Sequence, residues 1–490
     1  MEILVLNVLK KYWPDMILKN KQNEVITSYL NGVDTIGLLP TGYGKSMCYI
    51  LPPLVTNKVI FIISPLISLM EDQKEKLEEK EIPVATLHGN NINRSKEIRD
   101  IIKGGIKIVY MSPEFLIEGE GMELADKLIK KDMLGFLAID ESHCISTWGH
   151  DFRNSYLEIK TFRINFPTIP ILAVTATATK QVVEDIICNL NLKNHKIIRA
   201  NYDRPNLYLK CSMVNKGDIK VDIISPYIIK YKNDKIIIYC NSRKDTTLLA
   251  EEINNKYKIN CASYHAGMTK EKRIKIQTEF SDNLINCIVS TVAFGMGIDQ
   301  IVRCVIILGS PNSIENYYQM IGRAGRDNIH ADTVFFFQHK NIMIEKSMNT
   351  QKLKEVDKDD INSKNVFVNK EICLNNIVKY FYTNTCRRRF ILEYFNEIPK
   401  FYCCNNCDNC CERELIDMTD KIKSVVFNKK LIPFTDVFNK KELDMLVDNL
   451  LIAKRGNNYS QANSLIIWVK LITLNNMIDS IPYKYKIRIC

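Results

Sequence analysis

Short apolar runs alternate with charged stretches between residues 36 and 179. Each run is apolar at consecutive positions, which is typical of a strand buried on both faces of a sheet. The stretches between the runs are long enough for helices and mix charged with apolar residues. This alternation predicts an α/β lobe in which helices cover both faces of a parallel sheet. The predicted strands are 59–63, 84–87, 106–111, 136–139 and 171–174.

The same pattern restarts further along the chain and predicts a second α/β lobe. The two series are separated by RANYDRPN (199–206), an extended polar segment that is typical of a linker. Two such lobes in tandem have a cleft between them, and ligands are expected at the carboxyl ends of the strands that face it. The strands predicted for the second lobe are 235–239, 261–264, 287–290, 302–308 and 333–337.

The remaining segments are less regular. Residues 1–13 predict a helix, and the charged residues 349–365 predict either an exposed helix or a second linker. Near the C-terminus, leucines at helical spacing over 443–450 are followed by the basic turn KRGNN (454–458). A winged helix and a generic helix with a loop both fit this tail.

Composition limits the partners and the compartment. Of 490 residues, 67 are Lys or Arg and 56 are Asp or Glu, and the resulting charge of +11 permits a polyanionic partner without requiring one. No stretch approaches the roughly 18 apolar residues that cross a bilayer, so no membrane partner is predicted. Most of the sixteen cysteines lie singly in apolar runs, as reduced core residues do. We therefore expect an intracellular compartment, with nucleus and cytoplasm both open.

The segment LLPTGYGKS (38–46) is a candidate phosphate-binding loop. Two glycines let the backbone turn tightly and point its N–H groups at phosphate oxygens. In such a loop the lysine reaches the β and γ phosphates, and the serine hydroxyl binds Mg²⁺. The general motif begins with glycine where this chain has Leu39, so on pattern alone a chance Gly-Lys-Ser turn stays an alternative. The candidate ATP-binding residues here are Thr41, Gly42, Gly44, Lys45 and Ser46.

Two acidic residues and two arginines are candidates for the chemistry of ATP hydrolysis. Asp140 and Glu141 follow an apolar strand, where one carboxylate can hold Mg²⁺ through water and the other can orient the attacking water. Arg323 and Arg326 lie three residues apart, on one helical face, and can stabilise charge on the γ phosphate. Taken alone, the acidic pair is often just a solvated strand end, and the arginines would be read as a surface pair.

Six cysteines fall between residues 386 and 411. Cys404, Cys407 and Cys410 are spaced three apart, and Cys386 can complete a closed tetrahedral site for structural Zn²⁺. An exchange of Cys403 for Cys404 stays open. Disulfides are the other explanation, and they would need an oxidising compartment.

Taken in order, these segments resemble superfamily 2 helicases and specifically the RecQ family of DNA helicases. The resemblance covers about residues 10 to 410, and the zinc-binding cysteines stand where RecQ proteins have them. The matching motifs are PTGYGKS (40–46), SPLISLMEDQ (64–73), YMSPE (110–114), DESH (140–143), CISTWGHDFR (144–153), TATAT (175–179), RPNL (204–207), IIIYCNSRKDT (236–246), YHAGM (264–268), STVAFGMGID (290–299) and QMIGRAGRD (319–327).

The resemblance implies two RecA-like lobes that use ATP and Mg²⁺ to move 3′ to 5′ along single-stranded DNA and to unwind a duplex or fork. It implies that Ser46 and Asp140 share the Mg²⁺ and that the two arginines complete the site from the second lobe when the cleft closes. It also assigns the coupling of DNA contact to ATP hydrolysis to an aromatic-rich loop. The residues of that loop are Trp148, His150, Phe152 and Arg153.

At the adenine end the chain departs from the family pattern. Gln22 stands where the family has a glutamine that contacts the base, but Lys19 replaces the family's arginine and Asp15 its aromatic residue. We therefore expect a looser adenine pocket, with Tyr12 or Trp13 as a substitute stacking residue.

The resulting prediction is an α/β protein with four parts. They are a first RecA-like lobe (1–206), a second lobe (207–345), a zinc-binding module (346–412) and a short winged-helix-like tail (413–490). The predicted function is ATP-dependent DNA unwinding in repair, recombination or replication. Two alternatives stay open: an RNA helicase of the same superfamily, and a non-catalytic binding or strand-annealing protein.

Overall fold

The computed structural model describes residues 2–146, 153–214, 220–294, 300–355 and 361–411, and beyond these only four short strands. The chain forms two compact units. The N-terminal unit contains Met1–Tyr202 together with Tyr394–Glu397. The C-terminal unit contains Asp203–Phe294, Gln300–Glu393 and the residues that follow Glu397.

The N-terminal unit is built on a seven-stranded sheet in which every neighbouring pair is parallel. The order across the sheet is β3-β4-β2-β5-β6-β1-β7. This order brings the ends of β1 and β5, which carry the phosphate loop and the DESH motif, to the same edge of the sheet. The strands are β1 (Thr35–Leu38), β2 (Val59–Ile63), β3 (Val84–Leu87), β4 (Ile108–Met111), β5 (Leu134–Ile139), β6 (Ile171–Thr175) and β7 (Lys196–Arg199).

Helices cover both faces of this sheet, because consecutive strand residues point to opposite sides. In β2, for example, Phe61 belongs to the core on one face and Ile62 to the core on the other, and both are fully buried. The helices are α1 (Glu2–Tyr12), α2 (Asn20–Leu30), α3 (Met47–Thr56), α4 (Ile67–Glu78), α5 (Arg94–Ile102), α6 (Pro113–Ile117), α7 (Glu120–Lys130), α8 (Asn154–Leu157), α9 (Lys160–Asn165) and α10 (Lys180–Asn189), with a 3₁₀ helix at Ser142–Ile145.

A buried carboxylate fixes the start of β1. Asp34 Oδ1 accepts hydrogen bonds from Arg163 at 2.5 Å and from the Ile171 amide at 2.8 Å, and Oδ2 accepts from the Lys193 amide at 3.0 Å. Because a buried charge must be paired and hydrogen-bonded, this network is a structural one. It sets the register of the strand that leads into the phosphate loop.

The C-terminal unit contains a second parallel sheet of six strands, in the order β10-β11-β9-β12-β13-β8. Its strands are β8 (Leu207–Met213), β9 (Ile236–Cys240), β10 (Cys261–Tyr264), β11 (Cys287–Ser290), β12 (Cys304–Leu308) and β13 (Ala331–Phe337). The helices that follow Tyr202 are α11 (Lys220–Lys230), α12 (Arg243–Tyr257), α13 (Lys270–Ser281), α14 (Ile314–Ile321), α15 (His339–Glu355), α16 (Ile361–Tyr382), α17 (Arg387–Tyr394) and α18 (Asp408–Cys411).

The predicted α/β class with two parallel sheets is confirmed, and each predicted strand overlaps an observed one. The segment 349–365 lies in α15 and α16, with 356–360 outside the described residues. In the tail, β14 (Leu415–Asp417) pairs with β17 (Lys486–Arg488), and β15 (Ile452–Arg455) pairs with β16 (Asn458–Gln461), both antiparallel. The leucines over 443–450 lie outside the described residues, so the winged helix stays a prediction, as do the four domain boundaries.

Candidate nucleotide site and zinc centre

The candidate phosphate loop joins β1 to α3 and holds Thr41, Gly42, Gly44, Lys45 and Ser46. Gly42 and Gly44 have φ angles of 79° and 86°, in the left-handed region that side chains disfavour. A Cβ atom on Gly44 would also lie 2.5 Å from Gln22 Nε2. The backbone conformation therefore favours glycine at position 44, and the loop leads directly into α3, whose N-terminus favours an anion.

Two residues of the predicted adenine pocket brace this loop. Gln22 accepts a hydrogen bond from the Lys19 amide at 2.8 Å and donates one to the Gly44 carbonyl at 2.9 Å. The Lys19 ammonium donates to the Gly42 carbonyl at 3.2 Å and lies 4.6 Å from the centre of the Tyr43 ring. Gln22 thus contacts the phosphate loop directly. Its predicted contact with adenine would use the hydrogen-bonding capacity of the side-chain amide that these two bonds leave.

Asp140 lies at the end of β5 beside the phosphate loop. Its Oδ1 accepts the Glu141 amide at 2.9 Å, and its Oδ2 is 3.2 Å from the hydroxyl of Tyr49. The same hydroxyl is 3.1 Å from Ser46 Oγ. Burial and then the charge of Glu141 raise the pKa of Asp140 to about 6, and Lys45 opposes the shift. A serine hydroxyl and a carboxylate gathered around one point fit Mg²⁺, which prefers oxygen ligands.

Glu141 has a left-handed backbone, with φ of 47° and ψ of 46°. Such a conformation costs a non-glycine residue about 1–3 kcal/mol and is concentrated at functional sites. The next titratable residue, His143, lies with Nδ1 3.3 Å from Glu141 Oε2 and 3.0 Å from the Thr175 hydroxyl. The DESH motif is therefore in direct contact with the first residue of TATAT.

Of the predicted aromatic-rich loop, the structure describes Arg153. Its amide donates to the Cys144 carbonyl at 3.0 Å, and its guanidinium donates to the Pro65 carbonyl at 2.6 Å. Arg153 thus connects the end of this loop to the SPLISLMEDQ motif. Trp148, His150 and Phe152 lie outside the described residues.

Arg323 and Arg326 lie in the turn after α14, in a segment that we call the arginine loop (322–330). The prediction that they share one helical face is therefore wrong, because the helix ends at Ile321. Both side chains are half-buried, and Arg323 donates a hydrogen bond to the Tyr239 hydroxyl. Gly325 has φ of 55°, and a Cβ atom there would lie 2.4 Å from the side-chain nitrogen Nδ2 of Asn206. The arginine loop is therefore closely fitted to the segment that precedes β8.

That segment, predicted as a linker, holds the arginine loop in place. Arg204 donates to the carbonyls of Ala324 and Gly325, both at 2.8 Å. Asn206 donates to the carbonyls of Gly325 at 2.8 Å and of Ile329 at 2.9 Å. The residues of RPNL therefore position the arginine loop, a role that the sequence did not indicate.

The structure brings the four predicted zinc ligands together. The sulfur atoms of Cys386, Cys404, Cys407 and Cys410 all lie within 4.8 Å of one another. Cys404 Sγ is 3.9 Å from Cys410 Sγ. A ZnS₄ tetrahedron with bonds of about 2.3 Å has S–S edges of about 3.8 Å, whereas a disulfide bond is about 2.05 Å long. The geometry therefore fits Zn²⁺. Cys403 is exposed, its thiol donates a hydrogen bond to Asn405 Oδ1 at 3.1 Å, and it is not a member of the group of four.

Within the cysteine cluster, hydrogen bonds from the thiols of Cys386 and then Cys404 lower the pKa of Cys407, whereas the hydrogen bond with Cys386 raises the pKa of Cys404 and burial raises that of Cys410. A thiolate is the form that binds metal. Beside the cluster, the fully buried Arg387 and Asp408 form an ion pair at 2.5 Å, and Asp408 Oδ2 also accepts the Cys211 amide of β8 at 2.9 Å. The zinc module is thereby joined to the edge strand of the second sheet.

Comparisons with known proteins agree with this geometry. Models of three families match the chain: DEAD/DEAH box helicase at 19–186, helicase conserved C-terminal domain at 219–328 and RecQ zinc-binding at 338–411. RecQ of Haemophilus influenzae is 37% identical over 415 residues, which is 83% of this chain and 63% of that protein. The chain belongs to the RecQ family. The predicted family and structural Zn²⁺ are thus confirmed.

Two further relatives extend the comparison. SGS1 of Saccharomyces cerevisiae is 36% identical over 90% of this chain and 31% of that protein. R290 of Acanthamoeba polyphaga mimivirus, which carries the name of an ATP-dependent RNA helicase, is 42% identical over 80% of this chain and 69% of that protein. The chain therefore spans less than two thirds of RecQ and SGS1.

Solved structures support the fold. The helicase MrfA, solved with DNA and AMPPNP, matches 94% of this chain and 61% of its own at a TM-score of 0.57 and 17% identity. In the described part of the chain, no helix has both the length and the apolar character needed to span a membrane.

Proposed function

We propose that this chain is an ATP-dependent DNA helicase of RecQ type, which moves 3′ to 5′ along single-stranded DNA and unwinds duplexes or forks. The observation that carries the proposal is the arrangement around Asp140. There a glycine loop, a serine hydroxyl and two adjacent carboxylates converge at one sheet edge. Membership of the RecQ family supports DNA as the nucleic acid along which the protein moves.

The residues of this edge divide the work of ATP hydrolysis. Lys45 neutralises the β and γ phosphates, while the backbone of the loop from Thr41 to Gly44 cradles them. Ser46 and Asp140 hold Mg²⁺, which neutralises charge on the phosphate oxygens when bound. Glu141 orients and deprotonates the attacking water. Its contact with His143, and that of His143 with Thr175, offers a path by which the state of the nucleotide reaches TATAT.

The other predicted site residues complete the proposal. Arg323 and Arg326 stabilise negative charge that develops on the γ phosphate, and the hydrogen bonds from Arg204 and Asn206 to their loop support a fixed position. Gln22 contacts adenine. The segment from Trp148 to Arg153 senses DNA, which suits aromatic rings beside a cation.

The test is ATP hydrolysis in the presence of single-stranded DNA. We expect DNA to stimulate hydrolysis by the wild type, and Lys45→Ala to abolish it because the γ phosphate loses its principal cation. Glu141→Gln should bind ATP but not turn it over. Hydrolysis that survives in Lys45→Ala would contradict the assignment of the site.

An RNA helicase is the second candidate, and the name of the R290 protein favours it. Stimulation of hydrolysis by single-stranded RNA and DNA of equal length distinguishes the two, and we expect DNA to be the stronger activator. We also propose a role in DNA repair, recombination or replication, within a reducing intracellular compartment that keeps the zinc thiolates available.

A further inference from the structure

We infer that Tyr49 is a positioning residue for the Mg²⁺ ligands, an inference that rests on the function proposed above. Tyr49 lies in the first turn of α3, three residues after Ser46, and its side chain is fully buried. Its hydroxyl lies between the two ligand side chains, 3.1 Å from Ser46 Oγ and 3.2 Å from Asp140 Oδ2.

The proton of each hydroxyl has a defined direction. The ionised Asp140 carboxylate only accepts hydrogen bonds, so the single proton of Tyr49 goes to Oδ2. The bond to Ser46 must then run the other way, from the serine hydroxyl to the oxygen of Tyr49. A phenol is protonated near neutral pH, so the Tyr49 hydroxyl keeps this proton.

This chain of bonds fixes both ligands before a metal arrives. The Ser46 hydroxyl is oriented so that its proton points at the Tyr49 oxygen. The lone pairs of Ser46 Oγ are then left for the cation. Asp140 is held at both oxygens, by Tyr49 at Oδ2 and by the Glu141 amide at Oδ1, 2.9 Å away. Groups that orient metal ligands in this way commonly change metal affinity when they are removed.

Packing alone accounts for the ring of Tyr49 but not for its hydroxyl. The ring packs edge-on against Tyr110, with centroids 6.4 Å apart, within the core on one face of the sheet. A phenylalanine would fill the same space. The substitution Tyr49→Phe therefore removes the proposed positioning and keeps the packing.

The experiment measures how Mg²⁺ supports binding of a fluorescent, non-hydrolysable ATP analogue. In Tyr49→Phe we expect the Mg²⁺ concentration for half-maximal binding to rise about three- to tenfold. This factor corresponds to the free energy that one lost hydrogen bond contributes. Affinity for the analogue in EDTA should not change. Tyr29→Phe is the matched control, because it loses a buried hydroxyl that donates to the Leu137 carbonyl at 2.7 Å in the same unit. Its Mg²⁺ requirement should equal that of the wild type.

A double-mutant comparison tests whether Tyr49 acts through the ligands. On a Ser46→Ala background, Tyr49→Phe should raise the Mg²⁺ requirement less than it does alone, because one of its two partners is already lost. An unchanged requirement in Tyr49→Phe, or an equal loss of affinity in EDTA, would overturn the inference while leaving the nucleotide site intact. If the wild type failed to bind the analogue with Mg²⁺, the proposed function itself would fall.

Discussion

Replacing Arg204 with alanine tests whether the segment before β8 holds the arginine loop (322–330). The substitution removes two hydrogen bonds of 2.8 Å, to the carbonyls of Ala324 and Gly325. A hydrogen bond from a charged donor contributes about 1.5–3 kcal/mol. Both bonds come from one guanidinium nitrogen, and the side chain is half-buried. We therefore expect the substitution to lower the free energy of local opening of the arginine loop by about 2 kcal/mol in total.

Hydrogen exchange followed by mass spectrometry measures this loss locally. A decrease of about 2 kcal/mol in the free energy of local opening accelerates amide exchange about thirtyfold. The effect should appear in peptides covering 322–330, where the Gly325 amide donates to the Val302 carbonyl at 2.9 Å. Exchange in β2 and β5 of the other unit should not change.

Lys256→Ala is the control for this experiment. It removes an ion pair with Asp222 between two exposed side chains of the same unit. We expect exchange in 322–330 to stay at the wild-type rate in this variant. If Arg204→Ala also left that rate unchanged, the contacts of Arg204 would not be what holds the loop.

Three further predictions concern the zinc centre and the phosphate loop. Elemental analysis should find that Cys407→Ser has lost the bound zinc and that Cys403→Ser retains it, because Cys403 lies outside the cluster. Equal zinc content in the two variants would contradict the ligand assignment. Asp408→Ala should destabilise the C-terminal unit by about 3–5 kcal/mol, since it leaves the buried Arg387 unpaired; an unchanged urea midpoint would count against this. Gly44→Ala should weaken nucleotide binding about tenfold through the strain of its backbone conformation, and wild-type affinity in a direct titration would disprove that.

The sequence predicted the two sheets well because their strands are buried on both faces. Continuous apolar runs such as β2 and β11 are recognisable without knowledge of their neighbours. Of the edge strands of the two large sheets, β3 and β10 were predicted, but β7 and β8 were missed for the opposite reason. β8 alternates buried with half-buried positions and follows a Pro-Asn turn, and β7 is exposed at its first two positions. Both are strands because a neighbouring strand pairs with them.

The candidate site was predicted as a set of motifs but not as a set of contacts. The order of the motifs indicated which residues share a function. The sequence did not indicate that Tyr49 bonds to Asp140, 91 residues away, or that Arg204 bonds to Ala324, 120 residues away. Tyr49 carried one usable signal, since a residue three positions after Ser46 on a helix lies on the same face.

The most direct test of the central claim is unwinding of tailed DNA duplexes with ATP and Mg²⁺. Two substrates share the same duplex and differ only in whether the single-stranded tail is 3′ or 5′. We predict that the 3′-tailed duplex is unwound, that the 5′-tailed duplex is not, and that Lys45→Ala unwinds neither. Equal unwinding of both substrates, or unwinding of the 5′-tailed duplex alone, would contradict the proposed 3′ to 5′ helicase.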